Sequence, residues 1–303
     1  MFHIAHRLTV SSRLAQLTTH LNHCAMATST SSTIGPAPWR KLFLEHIQAM
    51  SSPEFTLSTI RKIPSPSGTV YSPRARTCIF RGLFADLPVN PKNDAQLNPD
   101  IYETDLLTFT TDCRMDKMAE LFGAEPDSGK LKGSGGGAPL EAVFWVKETV
   151  TQWRVRGKAY VLSPDVEDSP EGKQVIATLT LRMRRKNSDG KEWSFGREVT
   201  AHFGNLSPLM RGSFRNPPSG SPVALPVRDD RLKLGQKVTD LNDEVARDNF
   251  RVVVIVPEEI DRCDLSDPER GRRWVYTYVG GKSTPSTPGG LVEDGWEKVE
   301  VWP

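Results

Sequence analysis

Long apolar runs are missing from this sequence, and no stretch approaches the roughly 20 apolar residues that a membrane-spanning helix needs. Net charge is nearly missing too, since 39 Lys and Arg residues stand against 37 Asp and Glu residues and leave +2. A chain without a global basic field does not hold a nucleic-acid backbone by charge alone. We therefore expect a soluble protein with no nucleic-acid or membrane partner.

The usual metal-binding and catalytic signatures are absent as well. The four cysteines form no C-x-x-C pair and no zinc-ligand spacing with histidine, so we expect reduced thiols and no metal. No G-x-S-x-G motif marks a nucleophile, and no catalytic residue is assigned. The glycine tract at 133–137 lacks the Lys-Ser/Thr ending of a P-loop and the strand and helix of a dinucleotide fingerprint. It predicts a flexible loop.

The first 36 residues contain no acidic side chain but carry two arginines and four histidines among many Ser and Thr residues. This composition is typical of a mitochondrial transit peptide; a disordered extension and a start at Met26 are the alternatives. We therefore treat residues 1–36 as an extension and residues 37–303 as one folded domain. The expected compartment is intracellular, either the cytoplasm or, if the extension is a targeting peptide, the mitochondrion.

Short runs rich in Val, Ile, Thr, Phe and Trp dominate the rest of the chain, and Pro, Gly, Asn, Asp and Ser separate them. Because few long helical patterns intervene, we expect a mainly β fold, an antiparallel barrel with a few peripheral helices. Strands are predicted at 55–60, 76–84, 106–111, 142–146, 153–162, 175–184, 193–203, 250–256, 273–279 and 296–302. Helices are predicted at 39–50, 115–122 and 267–272, and mobile loop insertions at 125–139, 216–225 and 280–290.

The strand at 106–111 ends in two hydroxyls, Thr110 and Thr111, and the helix after it carries the cations Arg114 and Lys117 near its start. Cations at a helix amino terminus oppose the helix dipole, so some anion is expected to compensate them. A phosphate accepts hydrogen bonds from hydroxyls and charge-assisted ones from Arg and Lys. The segment therefore predicts a phosphate site.

Other polar side chains lie in or beside strands. Gln152 begins a strand, where its carboxamide can hydrogen-bond to the edge of a ring such as an isoalloxazine. A further group, in the segment after the strand predicted at 193–203, predicts a grip for a substrate anion: Arg211, Ser213 and Arg215.

Four blocks of the sequence resemble, in order, those of the pyridoxamine 5′-phosphate oxidase superfamily, and look closer still to its divergent FMN-binding branch. The blocks are Arg76–Arg81, Phe109–Lys117, Gln152 with Arg156–Ala159, and Asn249–Val252 with Trp296–Pro303. The resemblance covers residues 38–303. It implies a split β-barrel that binds flavin mononucleotide (FMN) at a homodimer interface.

Carried over by position, the resemblance implies an FMN site shared between two subunits. Within one chain the expected cofactor contacts are Arg76, Arg81, Thr110, Thr111, Arg114 and Lys117. Gln152 and Arg273 are expected to reach the flavin from the partner subunit. The family's arginine beside the phosphate-binding lysine is Asp116 here, and Arg114 is its expected substitute.

Three departures concern the substrate. The family's tryptophan near the end of the site falls on Cys263, and the arginine and histidine that hold the pyridoxal ring and its phosphate fall on Glu269 and Gly271. The resemblance implies an oxidoreductase of the pyridoxamine or pyridoxine 5′-phosphate oxidase type, acting on a small phosphorylated substrate. The alternatives are an FMN-dependent reductase of another small molecule, a flavin-binding protein without turnover, and a binding barrel that shares only the fold.

Overall fold

A computed structural model describes residues 34–125, 131–186 and 190–303, of which residues 35–303 form one compact unit. The interpretation of residues 1–33 as an extension lies outside the described residues. The helices are α1 (Arg40–Ala49), α2 (Lys117–Phe122), α3 (Pro170–Thr180), α4 (Phe195–Gly204), α5 (Pro208–Gly212) and α6 (Glu244–Asn249), with 3-10 turns at Lys147–Thr149 and Ser213–Arg215. None of these helices is long and apolar enough to cross a membrane.

The strands are β1 (Glu54–Ser65), β2 (Gly68–Ile79), β3 (Tyr102–Thr104), β4 (Leu107–Asp112), β5 (Gly135–Val146), β6 (Thr151–Leu162), β7 (Met183–Arg185), β8 (Phe250–Asp264), β9 (Arg272–Tyr278), β10 (Leu291–Glu293) and β11 (Trp296–Val301). In the described part of the chain, nine of them form one antiparallel sheet in the order β10-β11-β9-β8-β6-β5-β1-β2, with β4 paired to β8. Strands β3 and β7 form a separate pair.

The sheet divides at β8 and closes into a barrel beyond β2. Strand β6 pairs along most of β8 on one edge, whereas β4 and β9 pair with its first and second halves on the other. The chain after β2 then hydrogen-bonds to β4: Arg81 N donates to Thr108 O (2.8 Å) and Phe84 N to Leu106 O (2.8 Å). The ring β4-β8-β6-β5-β1-β2 is therefore closed, and β9, β11 and β10 leave it at β8. This is the antiparallel split barrel that the sequence predicts.

Two apolar cores cover the two faces of the barrel wall. Inside, residues such as Phe144 and Trp153 pack edge-to-face on Phe43 of α1. Outside, α3 packs on β5 and β6 and α4 covers β8, with Phe203 against Phe250. Because β8 is covered on both sides, its first half, Phe250–Val256, is buried at every position and shows no alternation.

Two of the predicted strands, 175–184 and 193–203, are in fact largely the helices α3 and α4. Each helix begins at a serine cap: Ser169 accepts from Gly172 N, and Ser194 accepts from Arg197 N. A hydroxyl at this position satisfies a free amide of the first turn, and Pro170 suits the first helical position. The β-branched and aromatic composition of these segments wrongly predicted strands, whereas the serine caps correctly indicate helices.

Two further predictions are wrong. No helix forms at 267–272, because Asp267 Oδ1 accepts from Glu269 N (3.0 Å) in a tight turn just before β9. The glycine tract is not a loop throughout, since Gly135 and Gly136 open β5 and pair with Val161 and Tyr160. The predicted insertions at 216–225 and 280–290 contain no helix or strand, and residues 126–130 of the first insertion lie outside the described residues.

Gly82 stands where the chain turns from β2 to close the barrel. Its φ is +97°, and a Cβ there would lie 2.2 Å from Pro88 Cδ. We expect Gly82→Ala to lower the free energy of unfolding by about 1–3 kcal/mol, because both backbone strain and a clash oppose it. Urea denaturation measures this. Gly281→Ala, which meets nothing within 4 Å, is the control, and equal losses in the two variants would reject the explanation.

Candidate functional site

A cavity of about 470 Å³ opens where β2 and β4 end beside α2. This volume is in the range of small-molecule sites. The end of β2 and the residues after it form one wall, the end of β4 and the start of α2 form the second, and residues 206–219 with Leu234 form the third. Predicted site residues on these walls are Arg81, Thr110, Thr111, Arg114, Lys117 and Ser213.

Lys117, the first residue of α2, brings a largely buried amine to this cavity. Its Nζ lies 3.1 Å from Thr111 Oγ1 and 2.8 Å from Met115 Sδ. No carboxylate of a described residue lies within ion-pair distance of it. Burial lowers the pKa of Lys117 because the charged form has lost water. An anion in the cavity would restore that lost stabilisation.

Arg81 is a second uncompensated cation on the same cavity. Its guanidinium forms no hydrogen bond or ion pair with any residue that the structure describes, and its Nε is buried without a partner. Burial lowers the pKa of Arg81. A buried polar group without a partner is costly. Arg81 and Lys117 together therefore favour a ligand with at least one negative charge.

The carboxylate on the cavity wall, Asp112, forms an ion pair with neither of these cations, because it is bound by Arg114. Arg114 Nε donates to Asp112 Oδ1 (2.9 Å), while its two terminal nitrogens donate to Asn216 O (2.8 Å) and Phe214 O (3.1 Å). Arg114 thus ties the segment at 214–216 to the end of β4. In this arrangement it supports the wall, and its predicted role as the substitute phosphate ligand stays a prediction.

Arg76 is not among the residues that line the cavity, and its side chain is engaged in an ion-pair network beside it. It donates to Thr59 Oγ1 and to Glu120 Oε2, and Arg61 Nε donates to the other oxygen of Glu120 (2.9 Å). The Glu120 side chain is fully buried. A contact between Arg76 and a ligand in the cavity would require this network to open. Nothing in the sequence near Arg76 indicated Glu120, which is 44 residues away.

Gln152 and Arg273 lie together, but on the outer face of the sheet. Gln152 is opposite Cys263 on β8, which is in turn opposite Arg273 on β9. Arg273 pairs with Asp261 through Nε (3.0 Å) and Nη2 (2.7 Å). Neither residue lines the cavity of its own chain. Their placement is the one expected of residues that act on a partner subunit, and that role stays a prediction.

Of the three residues predicted to bind a substrate anion, only one lines the cavity. Ser213 lines the cavity, although its hydroxyl donates to Met210 O (2.7 Å). Arg215 pairs with Asp243 (2.7 Å). Arg211 is buried outside the cavity lining, and its Nε and Nη1 have no hydrogen-bond partner among the described residues.

Behind Arg81 lies a buried histidine, His202 on α4. Its Nε2 is 3.7 Å from Glu198 Oε1 and forms no hydrogen bond. Burial first, and the charge of Arg81 second, lower the pKa of His202 to about 3. The imidazole is therefore neutral at neutral pH, which fits a structural role.

This shift predicts a pH dependence of stability. In the unfolded chain His202 titrates near its ordinary pKa of about 6.5, so between about pH 6.5 and about pH 3 the unfolded state binds the extra proton. Stability is then lost as the pH falls, by ~1 kcal/mol between about pH 7 and about pH 5.5. Urea denaturation at both values should show this loss reduced in His202→Gln. An unchanged loss would mean that His202 is not the group responsible.

Comparison with known proteins identifies the domain that builds most of this cavity. Residues 36–163 match the sequence profile of the family described as pyridoxamine 5′-phosphate oxidase, FMN-binding domain. They are an FMN-binding domain of the pyridoxamine 5′-phosphate oxidase family. This domain contains β1 to β6 and therefore Arg81, Thr111 and Lys117. FMN is the cofactor of this domain family.

Full-length comparisons extend the similarity beyond the domain. The uncharacterized protein YGR017W of Saccharomyces cerevisiae is 21% identical, over 88% of this chain and 98% of the yeast protein. A pyridoxamine 5′-phosphate oxidase-related FMN-binding protein of Nostoc punctiforme shares the fold, with a TM-score of 0.50 and 18% identity over 89% of this chain and all of that one. The similarity to PhzG of Burkholderia lata, solved with tetrahydrophenazine-1-carboxylic acid, has a TM-score of 0.44 and 13% identity, over 92% of this chain and 97% of PhzG.

The residues on the cavity fit the cofactor of the FMN-binding domain family. FMN ends in a phosphate, and Lys117 and Arg81 are uncompensated cations that flank the Thr111 hydroxyl on the cavity wall. The remaining lining includes apolar side chains suited to a ring system: Ile79, Leu206, Met210 and Phe214. Charge and lining agree with a ligand that is anionic at one end and aromatic at the other.

Proposed function

We propose that this protein is an FMN-dependent oxidoreductase that works as a homodimer, with the phosphate of FMN bound by Lys117, Thr111 and Arg81. The observation that carries the proposal is a pair of partly buried cations on one cavity of an FMN-binding domain, neither of which forms an ion pair with a described carboxylate. Each charge-assisted hydrogen bond to the phosphate contributes about 1.5–3 kcal/mol.

The homodimer follows from where the remaining predicted flavin contacts lie. Gln152 and Arg273 share the outer face of the sheet, outside their own cavity, so they would complete the cavity of a partner. Trp145 is paired with Gln152 on the same face and is 42% exposed. Tryptophan and arginine are the residue types enriched among those that contribute most to binding at an interface.

Each part of the chain then has a defined task in the reaction. Bound FMN would supply the redox step, accepting a hydride from the substrate and passing the electrons to oxygen. Lys117 and Arg81 hold the phosphate, Arg114 keeps the wall at 214–216 closed against β4, and Ser213 offers a hydroxyl to the substrate side. The substrate class is a small phosphorylated molecule of the pyridoxine 5′-phosphate type.

A purified yellow protein with absorbance near roughly 450 nm, a general flavin property, tests the cofactor. Adding pyridoxine 5′-phosphate in air and measuring hydrogen peroxide tests the substrate. Peroxide formation in step with substrate loss is expected. A protein that holds flavin but forms no peroxide is not a vitamin B6 phosphate oxidase.

One observation favours an alternative substrate. Glu269 and Gly271, which stand where the family has its substrate-binding arginine and histidine, lie in the turn just before β9, and Glu269 is exposed. Neither can supply a cation to a phosphate. An FMN-dependent reductase of another small molecule, or a flavin-binding protein without turnover, would keep the same cofactor cavity and change only this part.

Trp145→Ser is expected to weaken the homodimer and, with it, FMN binding. Light scattering after gel filtration measures the mass, and flavin fluorescence measures the affinity. We expect a shift toward monomer and a Kd for FMN raised about tenfold, because the contacts that Gln152 and Arg273 are proposed to make across the interface would be lost. Val70→Ser, at an exposed site near the tip of the β1–β2 hairpin, is the control. A monomer that binds FMN fully would contradict a shared site.

A further inference from the structure

A second cavity, of about 760 Å³, lies beside the flavin cavity and has no part in the proposed function. The start of β8 and α6 form one side, and residues 163–165 and 132–133 form another. Residues 218–232 complete it, while Pro217, Ser219 and Leu234 from the same loop line the flavin cavity. The two cavities are therefore separated by one loop, and Arg114 is on the wall of both.

Arg247 brings an uncompensated guanidinium to this second cavity. One terminal nitrogen donates to Thr200 Oγ1 (3.0 Å), and the other is buried without a partner. The guanidinium carbon lies 5.4 Å from the centre of the Phe203 ring. No carboxylate of a described residue is within ion-pair distance. Burial, and secondarily the charge of Arg251, lower the pKa of Arg247.

Arg251 is the second cation, and it is only 3% exposed. All of its described hydrogen bonds go to backbone carbonyls: Nε donates to Lys132 O (2.8 Å), and Nη1 donates to Asp248 O (2.8 Å) and Phe250 O (2.7 Å). These bonds satisfy most of its donors and fix its position, while nearby carboxylates such as Asp165 and Asp248 offset only part of the cost of burying its charge. Arg247 and Arg251 are thus two like charges, close enough to repel each other, in the wall of a single cavity.

Carboxylates on the same cavity wall also limit which ligand can bind. Four carboxylates line the cavity: Asp229, which pairs with Arg231, Glu244, and Asp165 and Asp248, which lie near enough to Arg251 to favour its charged form. A bare oxyanion would be repelled by these carboxylates. A ligand that joins an oxyanion to hydroxyl or amino groups can instead give the oxyanion to the guanidiniums and donate hydrogen bonds to the carboxylates.

We propose that this cavity binds a second small molecule, one that carries a phosphate or carboxylate next to hydrogen-bond-donating groups. Its oxyanion is held by Arg247, the positive charge of the buried Arg251 adds to the attraction, and its donors face Asp165 and Asp248. Arginine suits this task because its planar group forms paired hydrogen bonds with an oxyanion. The site is distinct from the flavin phosphate site, since neither Lys117 nor Arg81 lines it.

Calorimetric titration of the FMN-saturated full chain tests the proposal, because saturation keeps probes out of the flavin cavity. The probes are glucose 6-phosphate, which joins a phosphate to hydroxyls, inorganic phosphate, and glucose. We expect glucose 6-phosphate to bind more tightly than phosphate and glucose not to bind. Arg247→Met should weaken glucose 6-phosphate at least about tenfold, the loss expected for one charge-assisted contact. Arg247→Lys should recover part of it.

Arg74→Met is the matched control, because it removes an exposed arginine outside this cavity; binding should be unchanged. Thermal shifts caused by the probe are compared within each variant, so a less stable Arg247→Met protein still gives a result. Equal binding in Arg247→Met and wild type, or no binding of either phosphate probe, would overturn the proposal. Loss of FMN binding in Lys117→Met with retained glucose 6-phosphate binding would separate the two sites.

Discussion

Replacing Lys117 with methionine is expected to weaken FMN binding about tenfold to a hundredfold, while the FMN-free protein becomes no less stable. The amine is largely buried beside a hydroxyl and a thioether, with no carboxylate partner, so its charge costs free energy until an anion binds. Methionine keeps most of the side-chain volume and removes the charge. Flavin fluorescence titration measures the affinity, and urea denaturation without FMN measures the stability.

The prediction is specific because the affinity for FMN should fall while the stability of the FMN-free protein should not. Lys158→Met, which removes an exposed lysine paired with Glu258 at 3.4 Å, should change neither quantity by much. If Lys117→Met destabilised the FMN-free protein and left FMN affinity intact, Lys117 would be a structural residue. The phosphate site would then have to be sought elsewhere.

Glu120→Gln is expected to cost about 3–5 kcal/mol of stability, the usual loss when one member of a buried ion pair is removed. Glu120 is fully buried and binds Arg76, Arg61 and Thr59 together. A neutral amide would leave Arg76 with a hydroxyl as its remaining partner. Urea denaturation of the two proteins measures the change.

Two comparisons sharpen that experiment. Glu259→Gln, in the more exposed pair with Arg156 at 3.0 Å, should cost under about 1 kcal/mol. Adding Arg76→Met to Glu120→Gln should recover part of the loss, because the stranded cation is removed along with its partner. A loss below about 1 kcal/mol in Glu120→Gln alone would show that this network does not stabilise the barrel.

The two arginines of the second predicted strand show what the local sequence pattern can predict and what it cannot. Both Arg76 and Arg81 were predicted to contact FMN. In the structure Arg81 lines the cavity, whereas Arg76 is bound to Glu120. Residue type and spacing treat the two alike. The difference depends on α2 packing against β1, which brings a buried carboxylate to one arginine and none to the other.

Secondary structure was predictable where one face of a strand is buried, and it failed where other signals competed. Strand β1 alternates between buried and exposed residues and was recognised. Helices α3 and α4 were taken for strands because β-branched and aromatic residues outweighed their serine caps. Those residues pack against the outer face of the sheet, a contact that forms only in the tertiary structure.

The order of apolar runs and turns was enough to indicate an antiparallel barrel, since the strands are runs of β-forming residues separated by glycine, proline, asparagine, aspartate and serine. The types of residue at the end of β4 were enough to indicate a phosphate. Which cations remain uncompensated was decided only in three dimensions. Charge compensation acts through space, over a few ångströms, between groups that can be 44 residues apart along the chain.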